Sequence, residues 1–199
     1  MTSLWSAAGI VAAAYLVGSI PIGLLFAHAR SVDLRNVGSG NIGATNVARA
    51  LGKKMGLVVL VLDALKGALP LLVVSLLDLD AQIDPFLIVA VGFAAMAGHC
   101  FPVWLLFRGG KGVATALGIY LVVDPVSTAI AVAVFVAIWA STRIVALGSI
   151  AAAIGMPLLL WLRGGSDAAV TLGIAGGLLV LFQHRANLGR LVRGEENRL

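Results

Sequence analysis

Charge is what this chain has least of. Asp, Glu, Lys and Arg together make up 12% of its 199 residues, about half the share in an ordinary soluble domain. So few charges cannot clothe a water-facing surface, so lipid is expected to cover much of the exterior. Cysteine is nearly absent. Cys100 stands alone, which rules out an intramolecular disulfide, and no Cys/His spacing suits a metal. No metal or cofactor is expected. No charged, low-complexity or Pro-rich linker divides the chain, so one domain is expected over 1–199. The first apolar stretch also lacks a basic leading segment and runs to about full membrane length, which points to a retained span and not to a cleaved leader.

What is abundant is apolar sequence, at 60% of residues with a mean hydropathy of +1.05. A helix needs about 20 apolar residues to cross the hydrocarbon. Segments 5–27, 55–77, 84–107, 144–162 and 168–183 approach or exceed that. Between them, 113–143 is apolar but interrupted at Asp124-Pro125, where proline withholds an amide and disfavours helix at the preceding residue. A short helix over 113–123 and another over 126–141 are therefore predicted. The expected fold is an all-α, polytopic membrane bundle of seven segments, two of them short. Five long crossings plus one re-entrant or tilted element is the alternative.

Parity favours seven. The basic residues gather in the 28–54 loop, the 108–111 turn, the corner at Arg143 and the tail, whereas the other turns hold Asp78, Asp80, Asp84, Asp124 and Asp167 with Arg163. Twelve of the fourteen Lys and Arg then share one face, and the positive-inside rule puts the N-terminus outside and the C-terminus in the cytoplasm. These charges read first as topology signals, and no nucleic-acid partner is expected. Asp63 and Lys66 are the exception, an i, i+3 pair well inside a span, which either fixes packing or serves function. Gly173-x-x-x-Gly177 reads as a helix-packing face.

Three polar clusters carry the chemistry. The first runs from Gly38 to Arg49. Gly38, Gly40 and Gly43 permit a tight turn whose amides make an anion nest. Ser39, Asn41, Thr45 and Asn46 add neutral polar groups, and Arg49 adds a two-pronged cation suited to phosphate. The second holds Gly109, Gly110, Lys111 and Gly112 leading into a helix start with Thr115, where amides, dipole and the lysine charge all favour an anion. It is no nucleotide-triphosphate loop, because that pattern needs Gly at Leu105 and Ser or Thr at Gly112. The third is His184, Asn187 and Arg190 at helical spacing, followed by Glu196. His28 and His99 read as interfacial polar residues at span ends. With seven passes all three clusters are expected on the cytoplasmic face, where two anion sites and a His/Asn site beside lipid point to phospholipid chemistry. An anion transporter and a non-catalytic scaffold are the competing classes. Clusters at one face without an internal repeat count against the first, and the density of anion-binding residues against the second.

The three motifs, GSGNIGATNVAR, GHCFPVWLLFRGGKGVAT and HRANLGRLVRGEE, together with Asp63-x-x-Lys66-Gly67 and the corner from Arg143 to Ser149, resemble the bacterial acyl-phosphate-dependent glycerol-3-phosphate acyltransferases, the PlsY family. The match runs in order along nearly the whole chain. Ile42 stands where proline is common in that family. The resemblance implies transfer of a long-chain acyl group from acyl phosphate to the 1-hydroxyl of glycerol 3-phosphate, giving lysophosphatidic acid and phosphate, at the bacterial inner membrane. This is the first step of phospholipid synthesis, and neither acyl-CoA nor acyl carrier protein is the donor. Ser39, Arg49, Lys111 and the two glycine-rich backbones are then expected to hold phosphate. His184 and Asn187 would orient the glycerol, Glu196 would support them, and Ser149 is a further ligand.

Overall fold

A computed structural model describes residues 4–77 and 84–198. Asp78 and Asp80, two of the acidic turn residues above, lie outside the described residues. The described residues are helical throughout, with no strand among them. They group into two compact units, Met1–Ile119 and Tyr120–Leu199, which are taken in turn.

The first unit contains α1 (Leu4–Gly18), α2 (Ile22–His28), α3 (Ala44–Leu51), α4 (Lys53–Leu77), α5 (Pro85–Cys100) and most of α6 (Val113–Val123). The expected first span is broken. Pro21 has no amide to donate, and α1 stops at Gly18 before α2 resumes at Ile22. Small residues let the helices close up. A Cβ on Gly18 would strike the backbone of Ala95, and one on Gly98 the backbone of Tyr15, so α1 and α5 touch through glycine. Gly67 of α4 meets Thr115 of α6 in the same way, and Gly118 of α6 meets Ala64. Helix α3 is short, with one apolar face. Ala44, Val47 and Leu51 join a core of Ala27, Leu34 and Val59 from α2, the following loop and α4.

The second unit contains α7 (Pro125–Thr142), α8 (Val145–Leu162), α9 (Asp167–Gln183) and α10 (Arg185–Val192). The packing face at Gly173 and Gly177 is real. Cβ atoms there would meet Pro157 at 3.0 Å and the Ala153 carbonyl at 2.7 Å on α8. The predicted break at Asp124-Pro125 also stands. Asp124 caps α7, accepting from the amides of Val126 and Ser127 at 3.0 and 3.2 Å and from the Ser127 hydroxyl at 2.7 Å. Arg163 approaches the same carboxylate at 3.4 Å.

By length and composition, five helical segments reach across a membrane: Ala7–His28, Lys53–Leu76, Pro85–Leu105, Pro125–Thr142 and Val145–Leu162. Counting α9 and α10, bent by 59°, as one broken span makes six. Helix α6, at 11 residues, is only about 16 Å long, half the hydrocarbon thickness.

The Ser127 hydroxyl above all, then the two capping amides and the Arg163 charge, hold the Asp124 carboxyl below the usual carboxylate range. A carboxylate lowered in the folded state stabilises above its ordinary pKa, and that contribution is lost as pH falls through the folded value. Asp124→Ala is expected to cost about 1 kcal/mol at neutral pH. Thermal unfolding in detergent checks this, and the gap to wild type should narrow towards acidic pH.

Candidate anion-binding site

In the first unit the segment 37–43 is tied into a compact loop by Asn46. This side chain is buried on α3. Its carbonyl accepts from the Ser39 amide at 3.0 Å, and its amide donates to the carbonyls of Leu34 and Val37 at 3.1 and 2.9 Å. Asn46 therefore spends its polar atoms on the loop itself. Asn41 does the same on a smaller scale, accepting from the Gly43 amide at 2.8 Å. Gly38 and Gly40 have φ of +55° and +66°, a conformation that glycine adopts without penalty. This bracing leaves the Ser39 side chain exposed and Thr45 and Arg49 half-buried. The first turn of α3 carries no side-chain cap.

The second loop is zipped onto the end of α5. The amides of Gly109 and Gly110 donate to the carbonyls of Cys100 and His99, each at 3.0 Å. A Cβ on Gly109 would strike those same carbonyls, and one on Gly110 would strike the His99 imidazole. Gly112 turns the chain with φ of +80°. These glycines are demanded first by packing, and the packing sets Lys111, half-buried, at the approach to α6. Thr115, one turn into α6, is fully buried against Gly67, and its hydroxyl has no hydrogen-bond partner among the described residues. His99 is not interfacial as its place in the sequence implied. It is buried, with Nδ1 3.7 Å from the Asp63 carboxylate.

Arg35, read from the sequence only as a topology charge, joins the two loops. Its guanidinium donates to the Gly40 carbonyl at 3.4 Å and to the Arg108 carbonyl. A signal was present in retrospect. Asp33 caps the short helical turn 34–36 by accepting from the Arg35 amide at 2.9 Å, which fixes the arginine within five residues of Gly40.

The second unit holds the third cluster. His184 ends α9 at the 59° bend into α10. It is buried, and Nδ1 lies 2.8 Å from the Val180 carbonyl. A carbonyl only accepts, so Nδ1 carries a proton. Asn187, also buried, donates to one oxygen of Glu196 at 2.8 Å, and Arg190 donates to the other at 2.8 Å. Glu196 thus fastens the tail back onto α10, and Gly194, at φ of +71°, makes the return turn. Ser149, in α8, is buried with its hydroxyl donating to the Val145 carbonyl at 2.9 Å. Among the described residues no group of three His, Cys, Asp or Glu could hold a metal.

A family model described as glycerol-3-phosphate acyltransferase matches residues 8–194. A protein of that name from Syntrophotalea carbinolica is 49% identical over 189 residues, covering 94% of each chain. Another from Geobacter sulfurreducens is 48% identical over 189 residues, covering 95% of each. Among solved structures, PlsY, an integral membrane glycerol 3-phosphate acyltransferase, is similar in its glycerol 3-phosphate form at 43% identity with a TM-score of 0.92, covering 98% of this chain and 96% of that one. The lysophosphatidic acid form is similar at 41% identity and a TM-score of 0.89.

Arg35→Gln removes the charge-assisted contacts between the loops, a loss of about 1 kcal/mol for an exposed side chain. Inorganic phosphate is expected to bind about fivefold more weakly by calorimetry, with little change in melting temperature.

Proposed function

The chain belongs to the glycerol-3-phosphate acyltransferase family, and from that premise we propose how its residues divide the work of acylating glycerol 3-phosphate. The protein is a multi-pass membrane enzyme, a glycerol-3-phosphate acyltransferase that moves a fatty acyl group to the sn-1 hydroxyl and yields lysophosphatidic acid, a reaction of phospholipid synthesis. Its donor is a long-chain acyl phosphate taken from the bilayer, and acyl-CoA and acyl carrier protein are not direct donors. The observation that carries this reading is the pair of glycine loops joined by Arg35 in the first unit. They set Ser39, Arg49 and Lys111 beside the starts of α3 and α6, and an acyl phosphate and glycerol 3-phosphate each bring a phosphate.

Acyl phosphate is already activated, so the protein has to position two phosphates and stabilise charge on the carbonyl oxygen. Ser39, Arg49 and Lys111 hold phosphate, and Gly38, Gly40, Gly43, Gly109, Gly110 and Gly112 shape the two loops that bring it to the starts of α3 and α6. Thr45 and Thr115 line the starts of α3 and α6, and Asn41 and Asn46 keep the first loop in shape. His184 and Asn187 orient the glycerol end, Glu196 holds Asn187 in place, and Ser149 is a further ligand. The glycerol oxygen attacks the acyl carbon, the bond from that carbon to the phosphate oxygen breaks, and the hydroxyl proton leaves on the departing phosphate. No covalent acyl-enzyme and no cofactor are involved. The competing base is His184, whose Nδ1 is engaged by the Val180 carbonyl, so that Nε2 would take the proton.

The family match over 8–194 supports residues 1–199 as one acyltransferase domain. The charge asymmetry supports seven membrane segments, with the short α6 among them, the N-terminus outside and the C-terminus in the cytoplasm. On that reading the enzyme sits in the bacterial inner membrane and works at its cytoplasmic side.

Purified protein in lipid, given glycerol 3-phosphate and palmitoyl phosphate, is expected to release phosphate and form lysophosphatidate in equal amounts, and to make no product from palmitoyl-CoA. Equal rates from the CoA ester would overturn the donor assignment. Lys111→Met should raise the KM of a phosphorylated substrate by about tenfold or more, the cost of losing a charged hydrogen bond, and unchanged affinities would remove Lys111 from the site. His184→Gln is expected to weaken glycerol 3-phosphate binding and leave the pH profile where it was. A loss in kcat of about a hundredfold or more, with the acidic limb gone, would make His184 the base instead.

A further inference from the structure

Asp63 and Lys66 are the charges that the reaction leaves unused, and both are buried within α4. Lys66 Nζ lies 2.8 Å from Asp63 Oδ1. It also donates to the Ile20 carbonyl at 2.8 Å. That carbonyl belongs to the break between α1 and α2, where Pro21 leaves backbone groups outside the helical ladder. The same carbonyl accepts the Ile22 amide at 3.0 Å, so the lysine is a second donor, and the one that ties α4 to the break. The Trp104 indole donates to Ser19 at the same break, at 2.8 Å. Beyond it, α2 abuts the first glycine loop with no gap. A Cβ on Gly23 would strike the Ile42 carbonyl and come within 3.2 Å of Val47.

The other partner of the pair leads to the second loop. Asp63 Oδ1 lies 3.7 Å from His99 Nδ1, an ion-pair distance too long for a hydrogen bond, and the far side of that imidazole is the surface against which Gly110 packs. The carbonyl of His99 accepts the Gly110 amide. The backbone of Gly110 does not need glycine, since its φ is outside the left-handed region. The three atoms nearest to a Cβ there all belong to the imidazole, each within 3.0 Å.

We propose that the Asp63–Lys66 pair is a positioning device beneath both phosphate loops: Lys66 ties α4 to the helix break that seats α2 against the first loop, and the Asp63 charge attracts the His99 ring that props the second. The inference rests on the reading of the two loops as phosphate sites. It explains why an ion pair is retained inside a membrane, where each charge is costly, and why the glycine beside Lys111 is a glycine.

Three variants test it, each assayed with glycerol 3-phosphate and palmitoyl phosphate, with inhibition by inorganic phosphate and with the melting temperature. Asp63→Asn/Lys66→Met replaces the pair by neutral groups of similar size. It is expected to raise both KM values and the phosphate inhibition constant about tenfold, as displacement of a positioned site does, while kcat falls less. Restoring the cation as Lys66→Arg, alone, should keep most of the affinity. A folded neutral pair with wild-type KM values and inhibition would overturn the proposal. Should the neutral pair fail to fold, the steric arm decides. Gly110→Ala is expected to weaken phosphate inhibition about tenfold or more, and His99→Ala/Gly110→Ala to recover at least half of that loss on a logarithmic scale. A double variant no better than Gly110→Ala overturns the His99 contact. Lys111→Met separates the two levels. If it leaves phosphate inhibition unchanged, the loop is not a phosphate site. If it weakens inhibition while the neutral pair and the His99 variants do nothing, the site stands and the brace falls.

Discussion

A charge inside a membrane has to be paired, and in the first unit that requirement is met by one short contact, Lys66 to Asp63 at 2.8 Å. Removing one partner of such a buried pair costs about 3–5 kcal/mol, because the other charge is left uncompensated. Much else depends on the pair being intact. It ties α4 to the Ile20 carbonyl at the break before Pro21 and places an anion within 3.7 Å of a buried histidine. The break in the first span and the base of the second glycine loop therefore share one electrostatic anchor.

The glycines convert that anchor into geometry. Gly18, Gly67, Gly98 and Gly118 allow backbone-to-backbone contact between helices, where lipid offers no hydrophobic gain from association and close packing has to supply the attraction. Gly23, Gly109 and Gly110 carry the same closeness into the loops. The loops end up rigid because Asn46 and Asn41 close the first from inside and the α5 carbonyls close the second. A rigid backbone holds the side chains it carries without a further cost of ordering, which is the condition for stabilising charge in a transition state.

The second unit solves the same problem with the chain turned back on itself. Glu196 receives Asn187 and Arg190 on separate oxygens, so a carboxylate from the tail fixes an amide that the helix alone would leave free to rotate. At the bend, the Val180 carbonyl selects the tautomer of His184. Both devices act on orientation, and acyl transfer from an activated donor needs orientation more than it needs a strong base.

The sequence by itself determined the helical class, the break at Asp124-Pro125, the short helix over 113–123 and the three polar clusters. Each is a local consequence: hydropathy over a window, a missing amide at proline, a run of glycine and polar residues. It also named the family, because three motifs in order identify a chemistry. The tertiary structure decided the rest. Only it shows that the first span is broken at Pro21, since a proline in a span is compatible with a kinked but continuous helix when neighbours satisfy the freed carbonyl. Only it turns Arg35 from a topology charge into the tie between loops, and moves His99 from the membrane interface to a buried place beside Asp63. Those contacts join residues 46, 73 and 36 positions apart, from Ile20 to Lys66, Arg35 to Arg108 and Asp63 to His99. No periodicity or motif encodes pairings at such distances, because they are fixed by how glycine-lined helices pack and by the need of each buried charge to find a partner.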